Sequence, residues 1–104
     1  TSQKTRRVDF TFGIGYGDDL KKAKDVILNT IKSDSRVLND PAEPFIAVSA
    51  LADSSVNFVV RVWTKKEDYW GVHFDGIENV KLALDENGIS IPFPQRDVHV
   101  IKDL

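Results

Sequence analysis

Val8, Phe10, Phe12 and Ile14 alternate with Asp9, Thr11 and Gly13, the period of two that marks a strand with one buried face. Gly15-Tyr16-Gly17 interrupts the alternation, and Asp18 or Asp19 then stands where a helix takes its N-cap. Leu20, Ala23, Ile27 and Ile31, with Val26 beside them, recur at helical spacing, while Lys21, Lys22, Lys24 and Asp25 fall on the wet face. Ser33 to Pro44 reads as a polar loop with an apolar island at Val37-Leu38. Phe45 to Leu51 predicts a second strand, Ala52-Asp53-Ser54-Ser55 a turn, and Val56 to Trp63 the strongest strand of the chain. In that strand Val56, Phe58, Val60 and Val62 face one way, and Asn57, Val59, Arg61 and Trp63 the other. Thr64 to Asp68 reads as a charged loop. Trp70, Phe74, Ile77, Lys81 and Leu84 then sit at helical spacing, with Gly71 and Gly76 each weakening the helix by about 1 kcal/mol against alanine. Asn87-Gly88 supplies a left-handed C-terminal stop.

Beyond that stop, Pro92 and Pro94 hold the chain extended, because a residue preceding proline is pushed towards β or polyproline geometry. Val98 and Val100 mark a last short strand. The order β-α-β-β-α-β predicts an α+β fold, two helices packed on one face of a small mixed sheet. A last strand that returns to its own sheet makes the topology ferredoxin-like; otherwise the strand is donated to a neighbouring copy. Residues 1–94 form the expected domain, and residues 95–104 the terminal strand.

Composition narrows the function more than the fold. With 41% hydrophobic and 29% charged residues, the 104-residue chain has the make-up of one soluble globular domain. No window approaches a bilayer-spanning apolar run. The absence of cysteine removes disulfides, thiolate metal sites and cysteine nucleophiles. A net charge of −2 argues against nucleic acid as a partner. There is no methionine, not even an initiator, and this predicts a piece of a longer polypeptide.

Few residues carry recognisable chemistry. Gly13-x-Gly15-x-Gly17 fits neither the dinucleotide fingerprint nor the Walker pattern, and Asp18-Asp19 would repel a phosphate, so a tight strand-to-helix turn is expected. His73 and His99 lie far apart without metal-ligand spacing, and His73, beside Phe74, is expected to pack against its helix. No nucleophile, base or metal constellation emerges, so neither an enzyme nor a cofactor site is predicted. Tyr69, Trp70 and Trp63 are by default expected in the core. If Val56, Phe58, Val60 and Val62 face the helices, however, Trp63 and Val59 fall on the opposite, open face, an apolar face of the kind a partner covers.

Three ordered blocks resemble the C-terminal region of small-conductance mechanosensitive channels. They are Arg6-Arg7-x-Asp9-Phe10-x-Phe12-Gly13-Ile14-x-Tyr16-x-x-Asp19, Ser54-Ser55-Val56-Asn57-Phe58-Val59-Val60-Arg61-Val62-Trp63, and Gly88-Ile89-Ser90-Ile91-Pro92-Phe93-Pro94-Gln95. The resemblance runs from about Arg6 to about Val100. It implies a non-enzymatic domain on the cytoplasmic side of the cell membrane, in the wall of a hollow vestibule beneath a tension-gated pore. Seven copies would assemble, and ions and small osmolytes would pass through side portals during hypo-osmotic shock. Arg7 and Asp9 correspond to charged positions near the portals, and Trp63 joins them as a portal or interface candidate. Gln95, Asp97, Val98, His99 and Val100 correspond to a strand that closes a parallel barrel between subunits. The membrane helices and the preceding β domain of such a channel are absent from these 104 residues, so the chain itself would neither conduct nor enter the bilayer. The competing expectation is a stand-alone ferredoxin-like module that binds a small ligand.

Overall fold

The computed structural model describes residues 4–91. Its elements are β1 (Thr5–Ile14), α1 (Leu20–Lys32), β2 (Val37–Leu38), β3 (Phe45–Leu51), β4 (Val56–Lys65) and α2 (Tyr69–Glu86), with one 3-10 turn (Lys66–Asp68) leading into α2. The α+β architecture is the expected one. The terminal strand with Gln95, Asp97, Val98, His99 and Val100, and the boundary drawn at residue 94, lie outside the described residues.

Strand β4 organises the sheet. β1 pairs with it along its whole length, from Thr5↔Lys65 to Ile14↔Val56. On the opposite edge β3 pairs from Phe45↔Arg61 to Leu51↔Val56, and β2 adds Val37↔Thr64 and Leu38↔Trp63. Every one of these pairings is antiparallel, where a mixed sheet was expected. The reason is topological. β1 and β3 run parallel to one another, as a β-α-β unit requires, but β4 lies between them and opposes both.

The period-two reading of β1 and β4 matches the burial. Val8, Phe10, Phe12 and Ile14 are buried, as are Val56, Phe58, Val60 and Val62. Thr64, expected in a loop, extends β4 and is fully buried on the same face. The island Val37-Leu38 is likewise a short strand, recruited because β4 is long enough to offer it an edge.

Helix α1 starts at Asp19, whose carboxylate accepts a hydrogen bond of 3.0 Å from the Lys22 N–H, an N-cap that satisfies an otherwise orphan donor. Ala23, Ile27 and Ile31 are buried, whereas Leu20, in the first turn, stays 46% exposed.

Helix α2 turns a different face inwards from the one its large apolar residues suggest. Val72, Gly76, Val80 and Leu84 are buried, while Trp70, Phe74 and Ile77 face outwards. Gly76 decides the orientation. A Cβ there would stand 2.7 Å from Phe10 Cζ and 3.2 Å from Ile31 Cδ1, so the helix backbone lies directly against the Phe10 ring. The glycine that looked like a weak point permits this close helix–sheet approach. At its far end α2 closes with a Schellman motif: Gly88 has φ +72°, and the N–H groups of Ile89 and Gly88 donate to the carbonyls of Leu84 and Asp85 at 2.9 and 3.2 Å. Ile89 is buried as the apolar contact that accompanies this motif.

Candidate functional site

Two places on this frame draw polar side chains together: the open face of the sheet, and the point where the chain leaves α2. On the open face the register brings side chains together in rows. Asp9, Arg61 and Phe45 occupy one row across β1, β4 and β3, and Arg7, Trp63 and Leu38 the next across β1, β4 and β2. Directly opposite positions hold their Cβ atoms roughly 5 Å apart, so Arg7, Asp9 and Trp63 form one cluster.

Within it Arg7 and Asp9 pair along one face of β1. The guanidinium donates from Nε to Oδ1 at 2.8 Å and from Nη2 to Oδ2 at 3.2 Å, a bidentate geometry. Both side chains remain about half exposed (47% and 48%), so the pair adds little stability. Trp63 is half-buried beside it. Arg61, at the centre of its row, is exposed. The sequence alternation places these residues on one face, but it does not reveal Glu43 and Ala42. The segment joining β2 to β3 brings both of them against the cluster, where they line a hollow together with Arg7, Phe45, Arg61 and Trp63.

The second place is built on Asp18. Its Oδ2 accepts from the Gly15 N–H at 3.0 Å, the Ser90 N–H at 3.1 Å and the Ser90 hydroxyl at 3.0 Å. Asp18 therefore does not share the capping role of Asp19. It ties the strand-to-helix turn to the first residues after α2. The position a phosphate would take above this glycine turn is occupied by the chain's own carboxylate. Tyr16 reinforces the turn by donating its hydroxyl to the Ala52 carbonyl.

Two further clusters fix α2. Arg36 donates to Asp34 Oδ1 at 3.0 Å and to Asp34 Oδ2 at 2.9 Å, and reaches Asp75 on α2 at 2.7 Å. The hydrogen-bonded guanidinium holds the Asp34 carboxyl below its ordinary range, and the two carboxylates raise the Arg36 value in turn. His73 stacks between Phe10 and Tyr69, with ring centroids 5.8 and 6.2 Å away, and its Nδ1 finds no partner among the described residues. His99 lies outside the described residues. Among the described residues no group of three or more His, Asp or Glu is arranged to hold a metal ion. No helix there is long and apolar enough to cross a membrane.

Residues 8–91, nearly the whole described fold, match the family model for the C-terminal region of the mechanosensitive ion channel MscS. The chain belongs to the MscS family. The small-conductance mechanosensitive channel of Edwardsiella ictaluri is 46% identical over 95 residues, which are 91% of this chain and 33% of that protein. The MscS of Helicobacter pylori, solved in its closed state, superposes with a TM-score of 0.79 at 36% identity, over 88% of this chain and 36% of that one. MSL1 of Arabidopsis thaliana gives a TM-score of 0.74 at 14% identity, over 88% of this chain and 35% of that one, and shares the fold. The chain thus spans about a third of the length of the MscS proteins it matches. The MscS family is a family of mechanosensitive channels and not one of enzymes.

Proposed function

We propose that the chain is the cytoplasmic vestibule domain of a tension-gated channel that releases solutes on hypo-osmotic shock. It is no enzyme and no pore. It acts as an assembly scaffold for a homoheptamer and as a sieve for the ions and small osmolytes that reach the pore through side portals. The observation that carries this reading is the unbroken family match from residue 8 to residue 91, at 46% identity to a small-conductance channel. The rest of the channel, including its membrane helices and a β domain, is supplied by segments beyond these 104 residues.

In this reading the open sheet face borders a portal. Arg7, Asp9 and Trp63 stand there together, and the charged pair biases passing ions through its potential. In the same reading Gln95, Asp97, Val98, His99 and Val100 contribute a strand to a parallel barrel between subunits. Closing such a barrel pairs every strand edge, which a single copy leaves unmatched.

The test is the native polypeptide, detected with an antibody raised against this domain. A product several times larger than 11.7 kDa, held in the membrane through high salt and released only by detergent, is the expected result. A product of about 11.7 kDa in the soluble fraction would overturn the reading.

A further inference from the structure

β4 pairs with Leu38 of β2 at Trp63 and resumes with Phe45 of β3 at Arg61, so the chain between Leu38 and Phe45 leaves the sheet edge opposite Val62. That detour raises Ala42 and Glu43 beside the open face. Together with Arg7, Phe45, Arg61 and Trp63 they line an open hollow of about 380 Å³.

The charges around this hollow are unequally engaged. Arg7 is held by Asp9 in a bidentate pair. Arg61 and Glu43 form no ion pair with any described residue, including each other. The hollow is therefore lined by a guanidinium and a carboxylate that no described residue pairs, with Trp63 and Phe45 beside them. A guanidinium fork is shaped for a carboxylate. A carboxylate next to an indole and a phenyl ring is shaped for a cation, and aromatic faces favour one whose charge is spread over alkyl groups and is weakly hydrated. A simple anion would leave Glu43 opposed, and a simple cation would leave Arg61 opposed. Only a ligand carrying both charges satisfies the whole lining.

We propose that this hollow is a binding site for a small zwitterion of the betaine class, with its carboxylate on Arg61 and its quaternary ammonium between Glu43, Trp63 and Phe45. The inference rests on the hollow alone, so its failure and the failure of the channel reading are separate outcomes.

The test is a titration of the ¹⁵N-labelled 104-residue chain with glycine betaine, followed at the Trp63 indole N–H, which the W70F variant assigns. Saturable movement of that signal is expected. Choline, which lacks the carboxylate, and acetate, which lacks the ammonium, should each bind at least about tenfold more weakly, the scale of one lost charge-assisted contact. R61Q and E43Q alter exposed side chains, should leave the rest of the spectrum in place, and should each weaken betaine by about tenfold. Sucrose at matched concentration should leave the Trp63 signal unmoved. The proposal is overturned if betaine gives no saturable shift, if acetate or choline binds as well as betaine, or if R61Q and E43Q bind like the parent chain.

Discussion

Asp18 and Ser90, 72 positions apart, are joined by two hydrogen bonds that converge on a single carboxylate oxygen. One comes from the Ser90 backbone and one from its hydroxyl, while the Gly15 N–H donates to the same atom. The start of α1 and the end of α2 are thereby locked at one corner of the domain. Asp18→Ala leaves all three donors without this acceptor, and it should cost about 1–3 kcal/mol. Amide exchange at Ser90 should accelerate more than exchange in the centre of β4. Unchanged protection at Ser90 would show that the Schellman motif alone fixes the exit.

Gly76 tests how tightly α2 lies on the sheet. Alanine improves helix propensity by about 1 kcal/mol, but its Cβ would meet Phe10 Cζ at 2.7 Å and Cε1 at 2.9 Å. Overpacking of this kind costs typically 1–3 kcal/mol, so Gly76→Ala should lower the unfolding midpoint in urea. A rise in the midpoint would contradict the close approach.

The Asp34–Arg36–Asp75 cluster predicts a pH dependence with a definite sign. Asp34 has a folded-state pKa below its unfolded value because Arg36 hydrogen-bonds the charged form. Its contribution is therefore present above the ordinary carboxylate pKa and is lost as pH falls through the lowered value. Arg36→Gln should reduce the melting temperature near neutral pH, and the gap to the parent chain should narrow on acidification. A gap that stays constant down to strongly acidic pH would remove Asp34 from the account.

Trp70 and Phe74 stack on each other at 5.6 Å but are 58% and 61% exposed. Replacing Phe74 by serine should change folding stability by no more than about 0.5 kcal/mol, as for other surface positions. Val80→Ala, on the buried face of the same helix, should cost clearly more. Comparable losses from both variants in chemical denaturation would restore Phe74 to the core.

On the channel reading, assembly draws on segments outside these 104 residues. Each association step opposes an estimated 4–15 kcal/mol of lost rigid-body freedom, so the chain alone should scatter light as a species of about 11.7 kDa at micromolar concentration. A stable heptamer would show that this domain suffices for assembly.

The legible parts of the fold were those with a clean period. β1 and β4 alternate strictly, and α1 repeats apolar residues on one stripe, so their buried faces could be read directly. α2 could not be read in this way. Its bulky residues Trp70, Phe74 and Ile77 outweigh Val72, Gly76 and Val80 in any hydrophobicity count, yet burial followed the close backbone approach, which favours the small residues. Arg7 and Asp9 were singled out through the family resemblance and Trp63 through its strand's alternation, but that they adjoin depends on the β1–β4 register. Glu43 and Ala42 were not legible, because only the detour between β2 and β3 brings them there. Asp18 could be seen as a helix-start residue, but its partner at Ser90 depends on where α2 ends.

All strand pairing within the described residues passes through β4, since β1, β2 and β3 each pair with it and not with one another. During synthesis, then, the first 55 residues hold three strands' worth of sequence and no ladder to build. α1 can form early as a local element, but sheet hydrogen bonding waits until Val56–Lys65 has emerged, when both edges of that strand are filled. No strand pairing among the described residues can therefore precede β4.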